Sequence, residues 1–293
     1  MVLAAIDIGS NAARLLITEA APYHDGTVDY TKLTLLRVPL RLGIDVFQAG
    51  SISEERIGRF IDTMRVYKLL MKIYKVEAFK ACATSAMRDA ANGPGIIARI
   101  KNETGIDISI ITGHDEANIV YETHIAENLD LDKAYLYIDV GGGSTEVTLF
   151  AKGDIQFKES FNIGTIRLLH NSVTERQWDD MKNAVKAAVK GFAPVTAIGS
   201  GGNINKVFSI SKRKEGKALP LDLLRDYHKE LSAATVEERM HRYQLREDRA
   251  DVIVPALQIY ISLMRWADAE EIHVPKIGLA DGLIKMLYKE LKG

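Results

Sequence analysis

The chain has 293 residues, of which 47% are hydrophobic and 26% charged, and its formal net charge is −1. This length is too great for one small core and predicts two domains. A net charge near zero excludes a protein that gathers nucleic acid or anionic membrane by its overall field. The single cysteine, Cys82, excludes an intramolecular disulfide and favours a reducing, cytoplasmic compartment. The most apolar stretch, 252–264, is too short to span a bilayer, so we expect a globular protein with a local ligand site.

Short strand patterns alternate with amphipathic helices along the first half, which is typical of an α/β protein. The predicted strands are 2–8, 12–18, 31–42, 76–83 and 106–111. The predicted helices are one that begins at a capping box of Ser51 and Glu54 and continues to 74, one from Pro94 to Gly105, and one at 115–128.

The second half begins in the same manner as the first. Its predicted strands are 134–140, 146–151, 155–161, 195–198 and 271–274. Its predicted helices are one capped by Thr174 and Gln177 that extends to 191, one that follows Gly202, a continuous helical region at 220–267, and a final helix at 278–291.

Two similar turns indicate an internal duplication. Asp7–Asn11 and Asp139–Gly143 both place an acid, an apolar residue, a glycine and small residues between two strands. In each half, a later strand passes into a helix through small residues, at 83–85 and at 199–202. Chance similarity of two short turns is the alternative, but the matching strand–turn–strand context favours duplication. Two halves built on one plan would face each other across a cleft with both turns at its floor.

The chemistry of these turns suits phosphate. A glycine turn exposes consecutive backbone N–H groups, which form a concavity for phosphate oxygens. The glycines are Gly9, Gly141, Gly142 and Gly143, and the neighbouring neutral donors are Ser10, Asn11, Ser144 and Thr145. Carboxylates repel phosphate, so Asp7 and Asp139 indicate bound Mg²⁺, with Glu146 as a further ligand beside Asp139. The alternative is a pair of hairpin turns with polar surface side chains.

Other nucleotide-binding patterns are absent or incomplete in the sequence. No G-x-x-x-x-G-K-[ST] segment exists, which excludes a P-loop enzyme. The segment Gly199–Asn203 lacks the third glycine of a dinucleotide fingerprint. It nevertheless follows a strand and opens a helix, so Gly201, Gly202 and Asn203 are candidate anion ligands at a helix N-terminus.

A basic segment, 206–217, comes directly after this glycine loop in the sequence. Its cations are Lys206, Lys212, Arg213, Lys214 and Lys217, and with Glu215 they give a local charge of +4. We expect Lys212, Arg213 and Lys214 to contact a polyanionic substrate, and a solvated loop is the alternative.

Five ordered segments carry a resemblance to a known family: Asp7–Ile17, Ala83–Asp89, Thr112–Ala117, Asp139–Glu146 and Gly199–Asn203. In order and spacing they resemble the exopolyphosphatase/guanosine pentaphosphate phosphohydrolase (Ppx/GppA) family of the actin/Hsp70/sugar-kinase superfamily. The resemblance covers nearly the whole chain. It implies Mg²⁺-dependent hydrolysis of a terminal phosphoanhydride bond with release of orthophosphate.

The resemblance also implies roles for individual residues. Glu116 matches the catalytic glutamate, whose carboxylate would orient or deprotonate the attacking water. Asp139 and Glu146 match the acidic positions of the second phosphate motif. Ser10, Asn11 and Arg14 match the first motif, and Arg88 matches a further motif arginine; the two guanidinium groups can bind phosphate bidentately. Two structural alternatives remain open: Glu116 could only complement a helix dipole, and Arg88 could pair with Asp89 or Asp7.

The implied fold is α/β, an actin-like, ribonuclease H-like duplicated two-domain architecture with an interdomain cleft. Domain I would comprise 1–123 with the C-terminal helix 279–293 packed back on it, and domain II would comprise 124–278. We expect the short two-domain form of the family, without the helical C-terminal extension of longer relatives. Three residues depart from the usual family pattern, namely Asn203, Ala280 and Asp281.

We predict an exopolyphosphatase that uses Mg²⁺, with inorganic polyphosphate as substrate. Hydrolysis of guanosine pentaphosphate to tetraphosphate is the alternative within the family. A non-catalytic sensor of polyphosphate or of guanosine penta- or tetraphosphate, and an actin-like or sugar-kinase ATPase, are alternatives of other classes. We expect no nucleic-acid or membrane partner, and the sequence leaves a homodimer open.

Overall fold

The structure is a computed structural model that describes residues 1–24, 26–121, 130, 132–192, 194–275 and 277–292. Its internal contacts divide the chain into two units. Unit 1 is Met1–Ala126 together with Gly278–Gly293, and unit 2 is Glu127–Ile277. Among the described residues, no helix combines the length and the apolar character needed to cross a membrane.

Unit 1 contains a five-stranded mixed sheet in the order β3-β2-β1-β4-β5. Its strands are β1 (Val2–Ile8), β2 (Ala13–Pro22), β3 (Val28–Val38), β4 (Ala78–Ala83) and β5 (Ser109–Ile110). The first three strands pair antiparallel, whereas β4 lies parallel to β1 and to β5. The carboxyl ends of the parallel strands β1, β4 and β5 therefore share one edge of the sheet, where polar side chains can meet.

The helices of unit 1 that follow these strands are α1 (Leu42–Ala49), α2 (Glu54–Ile73), α3 (Ser85–Asp89), α4 (Gly93–Thr104) and α5 (Gly113–Tyr121). The long helix α2 buries Ile57, Phe60, Met64 and Tyr67, which recur at helical spacing and pack on the sheet. This buried face confirms the predicted helical periodicity.

Unit 2 contains a six-stranded sheet in the order β10-β11-β9-β6-β7-β8. Its strands are β6 (Ala134–Val140), β7 (Thr145–Ala151), β8 (Asp154–Phe161), β9 (Val195–Ser200), β10 (Leu219–Pro220) and β11 (Glu271–His273). Its helices are α6 (Thr165–Leu169), α7 (Glu175–Val189), α8 (Gly202–Ser211), α9 (Leu221–Ala233), α10 (Val236–Tyr243), α11 (Glu247–Ala250) and α12 (Ile253–Trp266). The most apolar segment of the chain forms α12, which packs in the core of this unit.

The last helix, α13 (Leu279–Lys292), belongs to unit 1, where it contacts α5 and the strands β1, β2 and β4. Apart from β10, the strand order of unit 2 repeats that of unit 1, with β8-β7-β6-β9-β11 in place of β3-β2-β1-β4-β5. Antiparallel and parallel neighbours occur at the same places in both sheets. The predicted duplicated, actin-like α/β fold class is confirmed.

Two predictions of element boundaries are wrong. Helix α2 begins after Ser53 rather than at a Ser51 capping box, and the Ser53 hydroxyl donates to Asp45 Oδ2 at 2.5 Å instead of capping the helix. The predicted strand 31–42 ends at Val38 as β3, and helix α1 begins at Leu42. The region 220–267 is largely helical, as predicted, and its helices are α9, α10, α11 and α12. The capping box of Thr174 and Gln177 is confirmed, and the predicted helix 115–128 is described only to Tyr121, with the rest outside the described residues.

Candidate active site

The two predicted turns close with the same hydrogen bond. In unit 1 the N–H of Gly9 donates to the carbonyl of Ala12 at 3.0 Å. In unit 2 the N–H of Gly141 donates to the carbonyl of Ser144 at 2.9 Å. The duplication therefore extends to the backbone geometry of the turns.

The carbonyl groups of the second turn face helix α6. Those of Gly141–Gly143 accept hydrogen bonds from the N–H groups of Thr165 (3.1 Å) and Ile166 (2.8 Å) and from Nε of Arg167 (2.7 Å). In a trans peptide the carbonyl and the following N–H point in opposite directions. The N–H groups of residues 142–144 are therefore directed away from α6, in the arrangement that binds anions.

Helix α1 supports the first turn in the same way. The N–H of Gly43 donates to the carbonyl of Ser10 at 2.8 Å, and that of Arg41 donates to the carbonyl of Asn11 at 3.0 Å. Arg41 is held at a φ of 55°, in the left-handed region that non-glycine residues rarely adopt. The N–H groups of Asn11 and Ala12 consequently point away from α1, so the first turn is also arranged to bind an anion.

A row of side chains crosses the sheet of unit 1 beside its turn. Asp7 pairs in register with Cys82 on β4 and with Arg14 on β2, and Arg14 pairs with Arg37 on β3. Nη1 of Arg14 donates to Oδ2 of the buried Asp7 at 2.6 Å. The predicted role of Asp7 was a metal ligand, but the structure gives its carboxylate a cationic partner from its own sheet. Asp7 thus positions the guanidinium group of Arg14.

The corresponding row in unit 2 has the opposite charge. Asp139 pairs in register with Ser200 on β9 and with Glu146 on β7, and Glu146 pairs with Ser160 on β8. Glu146 is only 2% exposed, and the Ser160 hydroxyl donates to its Oε1 at 2.9 Å. Two carboxylates therefore occupy the positions that hold an aspartate and an arginine in unit 1. Like charges directly opposite each other destabilise a strand pair unless a counterion lies between them.

This pair of carboxylates fits Mg²⁺ in number and chemistry. Mg²⁺ prefers oxygen ligands and commonly takes one or two protein carboxylates, with water and substrate phosphate completing its shell. No cluster of three or more His, Cys, Asp or Glu side chains suited to a metal occurs among the residues the structure describes. Asp139 and Glu146 thus suit a cation that is shared with a phosphate.

The predicted catalytic glutamate lies in the first turn of helix α5. Thr112 and Asp115 cap this helix, because the Thr112 hydroxyl donates to Asp115 Oδ2 at 2.6 Å and accepts from the Asp115 N–H at 3.1 Å. The next residue, Glu116, is 12% exposed, with its Oε2 at 3.4 Å from Nη1 of Arg88. That Arg88 nitrogen also donates to the carbonyl of Ile111 at 2.8 Å. Arg88 therefore holds Glu116 and anchors to the strand end that precedes α5, rather than pairing with Asp89 or Asp7 as the alternative supposed.

The glycine loop of unit 2 rests on a buried tyrosine. Gly201 has a φ of 111°, and a Cβ atom there would lie 3.2 Å from Asp139 Oδ1 and 3.1 Å from the carbonyl of Val140. The hydroxyl of Tyr260 donates to the carbonyl of Ser200 immediately before it. Burial first, and then the nearby Asp139, raises the pKa of Tyr260, so its hydroxyl stays protonated as a donor. Only glycine fits this close approach to the acidic row.

Arg249, which the sequence did not mark as a site residue, lies beside the same loop. Its Nη1 donates to Oδ1 of the buried Asn203 at 3.2 Å, and its guanidinium group packs against Gly202. Arg249 thus adds a cation at the N-terminus of α8, while Asn203 positions it. No local signal marks this arginine, because it is brought to the loop by α11, far along the chain. Arg167, which supports the triple-glycine turn, was missed for the same reason.

Other predicted phosphate ligands have structural partners. The Thr145 side chain is fully buried, and its hydroxyl donates to the carbonyl of Ile163 at 2.6 Å. The hydroxyl groups of the buried Ser10 and Ser85 lie 3.1 Å apart and link the first turn to α3.

The basic residues Lys212, Arg213 and Lys214 come after the last residue of α8. The length of this helix separates them by about 15 Å from the glycine loop at the start of α8. Nearness in sequence therefore does not place this segment at the loop.

Three comparisons identify similar proteins. The sequence profile of the Ppx/GppA phosphatase family matches residues 23–291. The chain is 34% identical over 168 residues to a bifunctional 3-dehydroquinate synthase/phosphatase from Fusobacterium nucleatum, covering 56% of this chain and 25% of that protein. It is 27% identical over 312 residues to a guanosine-5'-triphosphate,3'-diphosphate pyrophosphatase from Pseudoalteromonas translucida, covering 99% of this chain and 59% of that protein. It therefore spans less than two thirds of the length of either relative.

The structure of an exopolyphosphatase from Cytophaga hutchinsonii has the same fold. The two superpose with a TM-score of 0.84 at 27% sequence identity, and the match covers 100% of this chain and 98% of that one. The similarity thus includes both units.

Proposed function

The chain belongs to the Ppx/GppA phosphatase family, and on that premise we propose that it hydrolyses the terminal phosphoanhydride bond of a polyphosphorylated substrate and releases orthophosphate. The observation that carries this proposal is the difference between the two repeated rows. One row presents arginines suited to phosphate, and the other presents two opposed carboxylates suited to a divalent cation. Both lie beside turns whose N–H groups are arranged to bind anions.

Glu116 acts on the attacking water in this proposal. Its carboxylate accepts a hydrogen bond from the water and takes its proton as the oxygen bonds to the terminal phosphorus. The bridging P–O bond breaks, and its electron pair stays with the shortened substrate. Arg88 holds Glu116 in place through the contact at 3.4 Å, and orientation of this kind supplies much of the catalysis in phosphoryl transfer.

The remaining residues bind the phosphate groups and the metal. Arg14, whose Nη1 donates to Asp7, would bind phosphate oxygens through its guanidinium group. Asp139 and Glu146 would hold Mg²⁺. When bound, the ion would neutralise the charge of the phosphate groups.

We assign inorganic polyphosphate as the substrate and guanosine pentaphosphate as the alternative. The groups gathered near the turns are guanidinium groups and backbone N–H groups, which recognise phosphate rather than a base. The name of the Cytophaga hutchinsonii structure, an exopolyphosphatase, supports the first assignment. The name of the Pseudoalteromonas translucida relative supports the second.

The test measures orthophosphate release from short and long polyphosphate, guanosine pentaphosphate and ATP, with and without Mg²⁺. We expect Mg²⁺-dependent release that is fastest, by kcat/KM, from a polyphosphate. A higher kcat/KM for guanosine pentaphosphate than for every polyphosphate would overturn the substrate assignment. Binding without turnover of any substrate would instead support the alternative of a non-catalytic sensor.

Asp139→Asn should raise the Mg²⁺ concentration needed for half-maximal rate. An unchanged Mg²⁺ requirement would mean that this aspartate has only a structural role.

A further inference from the structure

Helix α13 lies directly against α5, the helix that carries Glu116. The point of contact is Gly282, in the first turn of α13. A Cβ atom on Gly282 would lie 2.2 Å from the carbonyl oxygen of Ile119 and 2.7 Å from its Cγ2 atom. Cβ atoms in proteins essentially never approach a backbone atom so closely, so only glycine lets the two helices pack at this distance.

The contact lies close to Glu116 on the same helix. Ile119 is buried and follows Glu116 by three residues, which places the two backbone positions about 4.5 Å apart along the helix axis. The first turn of α5 is closed by the N–H of Glu116, which donates to the carbonyl of Thr112 at 3.0 Å. A displacement of the backbone at Ile119 therefore moves Glu116 with it.

Helix α13 is itself fixed to the sheet of unit 1 at both ends. Asp281, which departs from the usual family pattern, pairs through Oδ1 with Nζ of Lys32 on β3 at 2.6 Å. Its Oδ2 accepts from the N–H of Gly278 at 2.9 Å. Near the end of the helix, Glu290 pairs with Lys80 on β4, and the buried apolar side chains between these ends pack on the strands. Added volume between the two helices should therefore displace α5 rather than α13.

A small displacement of α5 is enough to affect catalysis. The carboxylate of Glu116 lies 3.4 Å from Nη1 of Arg88, at the limit of a hydrogen bond. A general base must lie within hydrogen-bond reach of the water on which it acts. A Cβ atom at position 282 would need about 1 Å more room, and a misplacement of about 1 Å can lower a rate by about 10²-fold.

We propose that Gly282 is a positioning residue for the reaction: because it has no side chain, α13 holds α5, and with it the carboxylate of Glu116, at the distance from the substrate that catalysis requires. The proposal rests on the proposed function for the role of Glu116. Gly282 acts through α5 and not by contact with the substrate. It lies outside the five motif segments, which end at Asn203.

The first test is the release of orthophosphate from tripolyphosphate by Gly282→Ala. Gly58→Ala is the matched control, because Gly58 also lies inside a helix of unit 1 and a Cβ atom there would meet no atom within 4 Å. Gly282→Ala should lower kcat about tenfold or more and change KM by less than about threefold, because the turns that bind phosphate are untouched. A kcat within about twofold of that of the control would overturn the proposal.

A double-mutant cycle with Glu116→Gln distinguishes the positioning of Glu116 from general damage to the site. If Gly282→Ala acts through the carboxylate, it should lower kcat by less than about threefold in the Glu116→Gln background, where the carboxylate is already absent. An equal loss of kcat in both backgrounds would mean that the substitution disturbs the site as a whole, which would overturn the proposal.

Amide hydrogen exchange, followed by mass spectrometry without substrate, reports on α5 independently of activity. Exchange should be faster in α5 of Gly282→Ala than in α5 of the wild type, and it should be unchanged in α2. Unchanged exchange in α5 would overturn the proposal. If the wild type releases no orthophosphate, the proposed function fails, and faster exchange confined to α5 would still show that Gly282 sets the position of this helix.

Asp281→Ala keeps the proposal testable if Gly282→Ala does not fold. It removes the contacts that fix the start of α13 to β3 and to Gly278, and it adds no volume. We expect kcat to fall about threefold or more, with no further loss in the Glu116→Gln background. In that case an unchanged kcat of Asp281→Ala would contradict the proposal.

Discussion

At the scale of single residues, position 164 requires glycine because its backbone packs directly against the backbone of the second turn. A Cβ atom on Gly164 would lie 2.5 Å from the backbone atoms of Gly142 and Gly143. Such a contact with backbone cannot be relieved by rotating a side chain, so the turn itself would have to move. The sequence motif of the second turn ends at Glu146, so nothing in it marks Gly164.

Gly164→Ala should therefore reduce activity by displacing the N–H groups of the turn. We expect kcat/KM to fall by roughly tenfold or more, because misplaced anion donors weaken transition-state stabilisation. Gly58→Ala is the matched control, since its Cβ would meet no atom within 4 Å in the interior of helix α2. The control should raise the free energy of unfolding by about 0.5–1 kcal/mol through helix propensity and leave kcat/KM unchanged. Equal kcat/KM in both variants would show that the turn does not bind substrate.

The sequence identified the residues of the turns but not their partners. Glycine and acid patterns are local, so Gly141–Gly143 and Asp139 could be found by spacing alone, whereas the role of Glu116 is implied only by the family resemblance. Arg249 and Arg167 could not be found in this way, because their positions depend on elements far along the chain. Buried side chains such as Thr145 were misassigned because a hydroxyl that holds the backbone has the same sequence signature as one that binds phosphate.

At the scale of elements, helix α1 shows the limit of pattern recognition most clearly. Its residues include Gly43 and the β-branched Ile44 and Val46, which favour a strand or loop by propensity. Tertiary contacts override that preference: Gly43 packs against Ser10 of the first turn. Long periodic elements such as α2 were predicted correctly because their buried face is set by the sequence itself.

Asp45 links helix α1 to α2 and should make their packing dependent on pH. It accepts from Ser53 N–H at 3.0 Å and from Arg56 Nε at 2.7 Å. Burial raises the pKa of Asp45, but the hydrogen bonds from Ser53 and the guanidinium of Arg56 outweigh it and hold the pKa below its ordinary value. A carboxylate with a lowered folded-state pKa stabilises the fold above its unfolded pKa, and this contribution is lost as the pH falls through the folded value.

Asp45→Asn should lower the free energy of unfolding at pH 7 by about 1–3 kcal/mol, as expected for hydrogen bonds to a charged group. Urea unfolding of both proteins at pH 7, 5 and below about 4 measures this difference, which should narrow only in the most acidic samples. A difference in the free energy of unfolding that stays constant across this pH range would mean that the charge of Asp45 does not contribute to stability. The substitution would then act only through a change in packing.

At the scale of the whole chain, the two units share the same backbone arrangement but differ in the charge of one row of side chains. Strand order, turn closure and the supporting helix are repeated in both units. The charged row differs between the units: Asp7 faces Arg14 in unit 1, whereas Asp139 faces Glu146 in unit 2. The row of unit 1 thus suits phosphate, and the row of unit 2 suits a cation that accompanies phosphate.

The central claim, that Glu116 acts on the water that cleaves the phosphoanhydride bond, is tested most directly by kcat for orthophosphate release by Glu116→Gln. The amide keeps the shape of the side chain but cannot accept the proton, so kcat should fall by roughly 10²-fold or more. Tripolyphosphate affinity should stay near that of the wild type, and Glu55→Gln, an exposed glutamate on α2, should keep the wild-type kcat. A kcat for Glu116→Gln within about twofold of that control would contradict the claim.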